Sequence, residues 1–115
     1  MEDNFQISGT NLTIRLPAEV DHHNSEELKR KADRMLMENN IRCIIFDFGR
    51  TNFMDSSGIG MIMGRYKNLR FMGGVVVAVR VNERMKKILN MSGIYKVMDI
   101  YEDLPEQSCT GSSFL

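Results

Sequence analysis

The chain has 115 residues, the size of one domain, and at 43% hydrophobic and 26% charged it has the make-up of an ordinary globular protein. Fifteen basic and fifteen acidic residues cancel, which argues against a nucleic-acid partner, because phosphate backbones are met by a basic surplus. No apolar run approaches the ~20 residues that cross a bilayer, and the polar opening "MEDNFQ" does not read as a secretory signal, so a cytoplasmic protein with no membrane partner is expected.

In chain order, "FQIS" reads as a short strand that turns at Ser8-Gly9 into "NLTIRL", where Leu12, Ile14 and Leu16 alternate with Thr13 and Arg15. Pro17 ends that run because it has no N–H for a ladder. In "EVDHHNSEELKRKADRMLMENN", Asn24 is the expected N-cap with Glu27 in the capping-box position. Leu28, Ala32, Met35 and Leu36 then fall on one face of an amphipathic helix. "IRCIIFDF" is apolar almost throughout, as a strand covered on both faces would be, and "GRTNFM" reads as the loop after it.

"SSGIGMIMGRYKNLRFM" returns to helical spacing at Ile59, Ile62, Tyr66 and Leu69. Gly60 and Gly64 sit inside it, and each costs about 0.5–1 kcal/mol relative to alanine. Close approach to the sheet or to a partner are the two reasons to keep them. After Gly73-Gly74 comes a further apolar strand, "VVVAVRV", then the helix "NERMKKILNMSG", capped by Asn82 and stopped by Gly93, and a last strand "KVMDIY". The order β-β-α-β-α-β-α-β predicts a small single-domain α/β fold with a mixed, mostly parallel sheet, spanning residues 1–106. Residues 107–115 form a polar tail. Cys43, in a strand, and Cys109, in the tail, are expected to be two free thiols.

The stretch "MDSSGIG", residues 54–60, carries the chemistry. It misses the G-x-S-x-G elbow of a hydrolase, and its nearest histidines are His22 and His23, in the approach to the first helix. A strand, a glycine-bearing turn and a helix start suit a phosphate. Yet the Walker pattern is absent and Asp55 would repel an anion, which leaves a nucleotide-binding or weakly NTP-hydrolysing domain at the helix start after Asp55 as the alternative reading. Asp47 ends a strand as a receiver's phospho-acceptor does, but no lysine follows "VVVAVRV". Asp21, His22 and His23 are a poor metal set, since adjacent histidines point apart. What remains is a hydroxyl shown at a helix start, where one serine is explained by capping and two are more than capping needs.

"FMDSSGIGMIMGRYKNL", with "EVDHHNSEELK" and "MSGIYKVMDIYED", resembles the bacterial anti-sigma factor antagonists, single STAS domains (sulfate transporter and anti-sigma antagonist), from about Leu12 to Tyr101. The D-S-[ST]-G-[LI]-G core is that of phosphorylatable members, and "GRYK" with "DHH" is similar to the sporulation branch. The resemblance implies Ser56 as the phosphate acceptor, with Asp21, Asp55, Ser57, Gly58 and Gly60 as neighbours and partner contacts. It further implies a regulatory protein with no catalytic residue, metal or cofactor of its own. Its partners would be an anti-sigma factor that is also a serine kinase and a serine phosphatase that resets the switch. Balanced charge and no evident apolar stripe favour a monomer; a scaffold subunit of a larger STAS assembly is the third class.

Overall fold

The computed structural model describes residues 4–102. The predicted tail, 107–115, and Cys109 lie outside the described residues.

The first two strands, β1 (Phe5–Ser8) and β2 (Asn11–Arg15), form the expected hairpin around Gly9, whose φ of +62° suits a residue without a Cβ. β2 then pairs in parallel with β4 (Cys43–Asp47), β4 with β6 (Val75–Val79), and β6 with the two-residue β7 (Asp99–Ile100). The five-stranded sheet has the order β1-β2-β4-β6-β7, antiparallel only at its first pair. Between strands run α1 (His22–Glu38), α2 (Ser56–Phe71) and α3 (Glu83–Ser92).

Register sets the core. Leu12, Ile44 and Val76 align across three strands, as do Ile14, Phe46 and Ala78. These residues are buried in one cluster with Leu28 and Ala32 of α1, Met61, Ile62 and Leu69 of α2, and Met85 and Leu89 of α3. Because side chains alternate along a strand, Cys43, Ile45, Val77 and Val79 form a second cluster on the opposite face, with Tyr101 against it. That double burial is why β4 and β6 are apolar nearly throughout. Cys43 is disulfide-bonded, which corrects the expectation of a free thiol.

Three local expectations are corrected. The segments before α1 and α2 are not plain loops: Glu19–Val20 (β3) and Phe53–Met54 (β5) pair in parallel as a separate two-stranded sheet. The N-cap of α1 is Asp21, not Asn24. Asp21 Oδ1 accepts from the Asn24 amide at 3.0 Å, and Asn24 Oδ1 accepts from the Asp21 amide at 2.9 Å. Both residues are good caps; the hydrogen bond from Asn24 Nδ2 to the Glu19 carbonyl (2.8 Å) ties Asn24 back to β3 and favours the earlier start. The last strand is shorter than "KVMDIY", because Ile94–Lys96 forms a 3₁₀ turn after Gly93, which ends α3 with φ +81°.

Candidate functional site

The two-stranded sheet determines what meets what. Val20 pairs with Met54, and the Asp55 amide donates to the Val20 carbonyl at 3.1 Å. The residue after each strand, Asp21 and Asp55, caps a helix. The matching triplets Val20-Asp21-His22 and Met54-Asp55-Ser56 therefore start two helices side by side, both with amide ends at one edge of the fold. Asp55 Oδ1 accepts from the Ser57 amide (2.8 Å) and the Gly58 amide (3.2 Å). Two of the first-turn N–H groups that would hold a phosphate are thus already met by a carboxylate.

The two serines part company here. Ser57 is partly buried, and its Oγ lies 3.3 Å from Nδ1 of His22, the first residue of α1. Ser56 occupies the first helical position, faces solvent, and its hydroxyl has no hydrogen-bond partner among the described residues. Neither serine caps the helix; Asp55 does. The His22 contact was only partly foreseeable, because a helix start three residues earlier than expected is what turns His22 toward α2.

The glycines divide in the same way. Gly58 is buried, and a Cβ there would lie 2.5 Å from Met54 Cγ and 2.9 Å from Val20 Cγ1. Its missing side chain lets α2 start directly against β3 and β5. Gly60 is exposed, and a Cβ on it would meet nothing within 4 Å. We expect Gly58→Ala to cost about 1–3 kcal/mol, the usual penalty of overpacking, read as a lower urea midpoint at unchanged slope.

Asp47 is placed elsewhere, at the end of β4, 4% exposed. Arg80 donates Nε–H to its Oδ1 at 3.0 Å and Nη2–H to its Oδ2 at 2.7 Å, the Gly49 amide donates to Oδ1 at 2.8 Å, and Arg15 Nε lies 3.8 Å from Oδ2. Burial alone would raise its pKa. The hydrogen bonds from Arg80 and Gly49, with the charges of Arg80 and Arg15, outweigh burial and hold the carboxyl below its ordinary range. The clamp also holds Arg80 at φ +57°, a costly conformation for a residue with a Cβ. Asp47 is therefore a latch between strand ends and not an open acceptor. A carboxyl with a lowered folded-state pKa stabilises fully above its unfolded value of about 3.9 and loses that contribution as pH falls through the folded value. Asp47→Asn should cost about 1–3 kcal/mol at neutral pH, and the gap from the parent chain should narrow below about pH 4; urea melts across that range measure it.

Among the described residues no group of three or more His, Cys, Asp or Glu side chains gathers as metal ligands, and no helix is long and apolar enough to cross a membrane.

The family model of the STAS domain matches residues 4–107. The chain belongs to the STAS domain family. It is similar to the anti-sigma F factor antagonist of Paenibacillus polymyxa, 37% identical over 92 residues that cover 80% of this chain and 79% of the relative. Among solved structures it is similar to the anti-sigma factor antagonist SpoIIAA in its unphosphorylated form, with a TM-score of 0.73, 31% identity, and coverage of 83% of this chain and 86% of that one. It is also similar to the Bacillus cell fate determinant SpoIIAA in the phosphorylated form, with a TM-score of 0.66, 32% identity, and coverage of 83% and 89%.

Proposed function

We propose that this STAS domain is an anti-sigma factor antagonist switched by phosphorylation of Ser56. Unmodified, it binds an anti-sigma factor that is also a serine kinase, and so frees a sporulation sigma factor for transcription. The kinase transfers the γ-phosphoryl group of ATP to Ser56: an Oγ–P bond forms, the bond from that phosphorus to the bridging oxygen breaks, ADP leaves, and the hydroxyl proton passes to a base of the kinase. The chain itself supplies only the oxygen, and nucleotide, Mg²⁺ and base belong to the kinase. A serine phosphatase resets the switch, and the protein acts as a cytoplasmic monomer.

One observation carries this reading. Of two adjacent serines, Ser56 alone stands exposed with an unengaged hydroxyl, while Ser57 is held against His22. The relatives' names supply the rest: one similar protein is an antagonist of anti-sigma F, and another has been solved both with and without phosphate.

Phosphorylation adds about −1.5 to −2 charges. The dipole of α2 favours them by about 0.3–1 kcal/mol, and Asp55 at ~5 Å opposes them by roughly 1–3 kcal/mol. These nearly offset each other, so the fold stays put. In a closed interface the same dianion, unmatched by a cation, costs several kcal/mol.

The alternative, nucleotide binding or weak NTP hydrolysis at the helix start, has one feature in its favour, the Ser57–His22 contact. Against it, Asp55 fills the amide end of α2, and Asp21 Oδ1 is turned to its own helix and not to His22. Intact-mass measurement separates the readings. With an anti-sigma factor serine kinase and ATP, the parent chain and Ser57→Ala should each gain one phosphate and Ser56→Ala none. Labelling of Ser56→Ala at full stoichiometry, or of the parent without kinase, would overturn the assignment.

A further inference from the structure

The sheet has two apolar faces, and the helices cover one of them. The buried apolar residues of α1, α2 and α3 belong to the cluster on the first face, and none joins Cys43, Ile45, Val77 and Val79 on the second. Those second-face residues are nonetheless each 3% exposed or less. Among the described residues, Tyr101 is the apolar side chain that packs against them. Cys43 and Val79 lie at opposite ends of their paired strands, too far apart for one ring to cover both. Cys43 adds an independent observation. It is disulfide-bonded, and the other cysteine of the 115 residues is Cys109. The geometry allows that pairing. The Tyr101 amide donates to the Ala78 carbonyl at 2.8 Å, so the chain beyond Tyr101 sets out beside the carboxyl end of β6. Cys43 is level with Val75, at the other end of that strand. Three residues along the sheet and two strands across it make a gap of about 14 Å. The eight residues from Tyr101 to Cys109 reach up to ~26 Å, enough to double back over Val77 and Ile45.

We propose that residues 103–115 are the cover of the second face, held there by a Cys43–Cys109 disulfide that acts as a redox-operated clasp. The segment "DLPEQSCTGSSFL" is mostly polar, with Leu104, Phe114 and Leu115 as its large apolar side chains, so burial alone holds it weakly and the disulfide decides whether the face is closed. In a reducing compartment such a bond is a switch and not a permanent staple. Closing it needs an oxidant of the low-molecular-weight disulfide class. The Cys109 thiolate attacks that disulfide and expels one of its thiols; the Cys43 thiolate then attacks the Cys109 sulfur, forms the S–S bond and expels the second. Two electrons pass from the protein to the small disulfide, and the protons of both cysteines end on the two released thiols. Cys43, 1% exposed, is the resolving partner and not the first to react. The clasp is independent of Ser56 and of the kinase, since it lies on the sheet face that carries no helix.

The test uses the full chain, equilibrated with glutathione disulfide or with dithiothreitol, beside Cys109→Ser. After oxidation the intact parent should be two hydrogens lighter and monomeric, and its tryptic peptides 43–50 and 97–115 should be joined until reduced. The oxidised parent should melt on the order of 10 °C above both its reduced form and Cys109→Ser, because the bond closes a long loop. The uncovered face is read by N-ethylmaleimide at Cys43 in folded Cys109→Ser. Labelling should proceed within ~100-fold of the rate in the urea-unfolded chain, as for a thiol at an open surface. Two unlinked thiols after oxidation overturn the clasp, and so does a covalent dimer in which Cys43 is joined to a second copy. Slower labelling of Cys109→Ser than that limit means that the face stays covered without the disulfide, which overturns the switch. A folded Cys109→Ser that melts with the oxidised parent does the same.

Discussion

Ser56→Asp should bind the kinase about 100-fold more weakly than the parent chain, a loss of roughly 3 kcal/mol, while melting at nearly the same temperature. Ser56 is the first residue of α2, exposed, and flanked by the cap carboxylate of Asp55. In the free protein an added carboxylate there stays in water, where Asp55 repels it by about 1 kcal/mol or less at high dielectric, and the helix dipole returns a comparable amount. Once a partner covers the site, water is gone and the charge must be matched or left unpaired. Small residues at Ser57 and Gly60 offer no cation, and Asp55 is already turned inward to its own amides. The substitution carries one charge where phosphate carries up to two, so phosphate itself should act more strongly. Titration calorimetry of both proteins against the kinase, beside their thermal melts, reads the two quantities separately. Equal affinity for Ser56→Asp would remove the argument from bulk and charge.

Phe46→Ala should have the opposite character, costing about 3–5 kcal/mol of stability with no direct effect at the contact surface. Phe46 is 0% exposed, the fourth residue of β4, aligned with Ile14 of β2 and Ala78 of β6. It packs in the cluster that receives all three helices. Removing the ring leaves a cavity that neighbouring strands, pinned by ladder hydrogen bonds on both sides, cannot close. Domains of this size have about 5–15 kcal/mol in total, so the variant should sit near the edge of unfolding. Binding to the kinase should fall only in proportion to the unfolded fraction and recover at lower temperature or with osmolyte. Urea melts with a lower midpoint and similar slope are the expected record. A loss below about 1.5 kcal/mol would mean that the core relaxes around this site.

The sheet was legible in the residues because its signals are strong and redundant. Alternation in Leu12–Leu16 and unbroken apolar runs in Ile44–Phe46 and Val75–Val79 leave little choice of element, and three helices fall between strands in parallel order. The small pieces were not legible. Glu19–Val20 and Phe53–Met54 are two residues each, too short for any period to show, and they pair only because the larger sheet brings their chains together. The start of α1 was ambiguous because Asp21 and Asn24 are both good caps. Of the site, the paired serines, Asp55 and the glycines stood out as a motif, yet their separate roles did not. That Gly58 is enclosed by Met54 and Val20 while Gly60 faces open space depends on which way α2 is rotated on the sheet. That Ser57 meets His22 depends on a register set by β3 and β5. Arg65 is the clearest omission: a charged residue on a helix reads as surface, and only the packing of α2 against α1, with Asp33 opposite, explains its burial.

The most direct measurement compares one protein in two states. Chain phosphorylated stoichiometrically on Ser56, with the site verified by fragmentation mass spectrometry, is titrated into the kinase beside the unmodified chain. The unmodified form should bind, and the phosphorylated form should bind at least ~100-fold more weakly. Indistinguishable affinities for the two forms would contradict the switch.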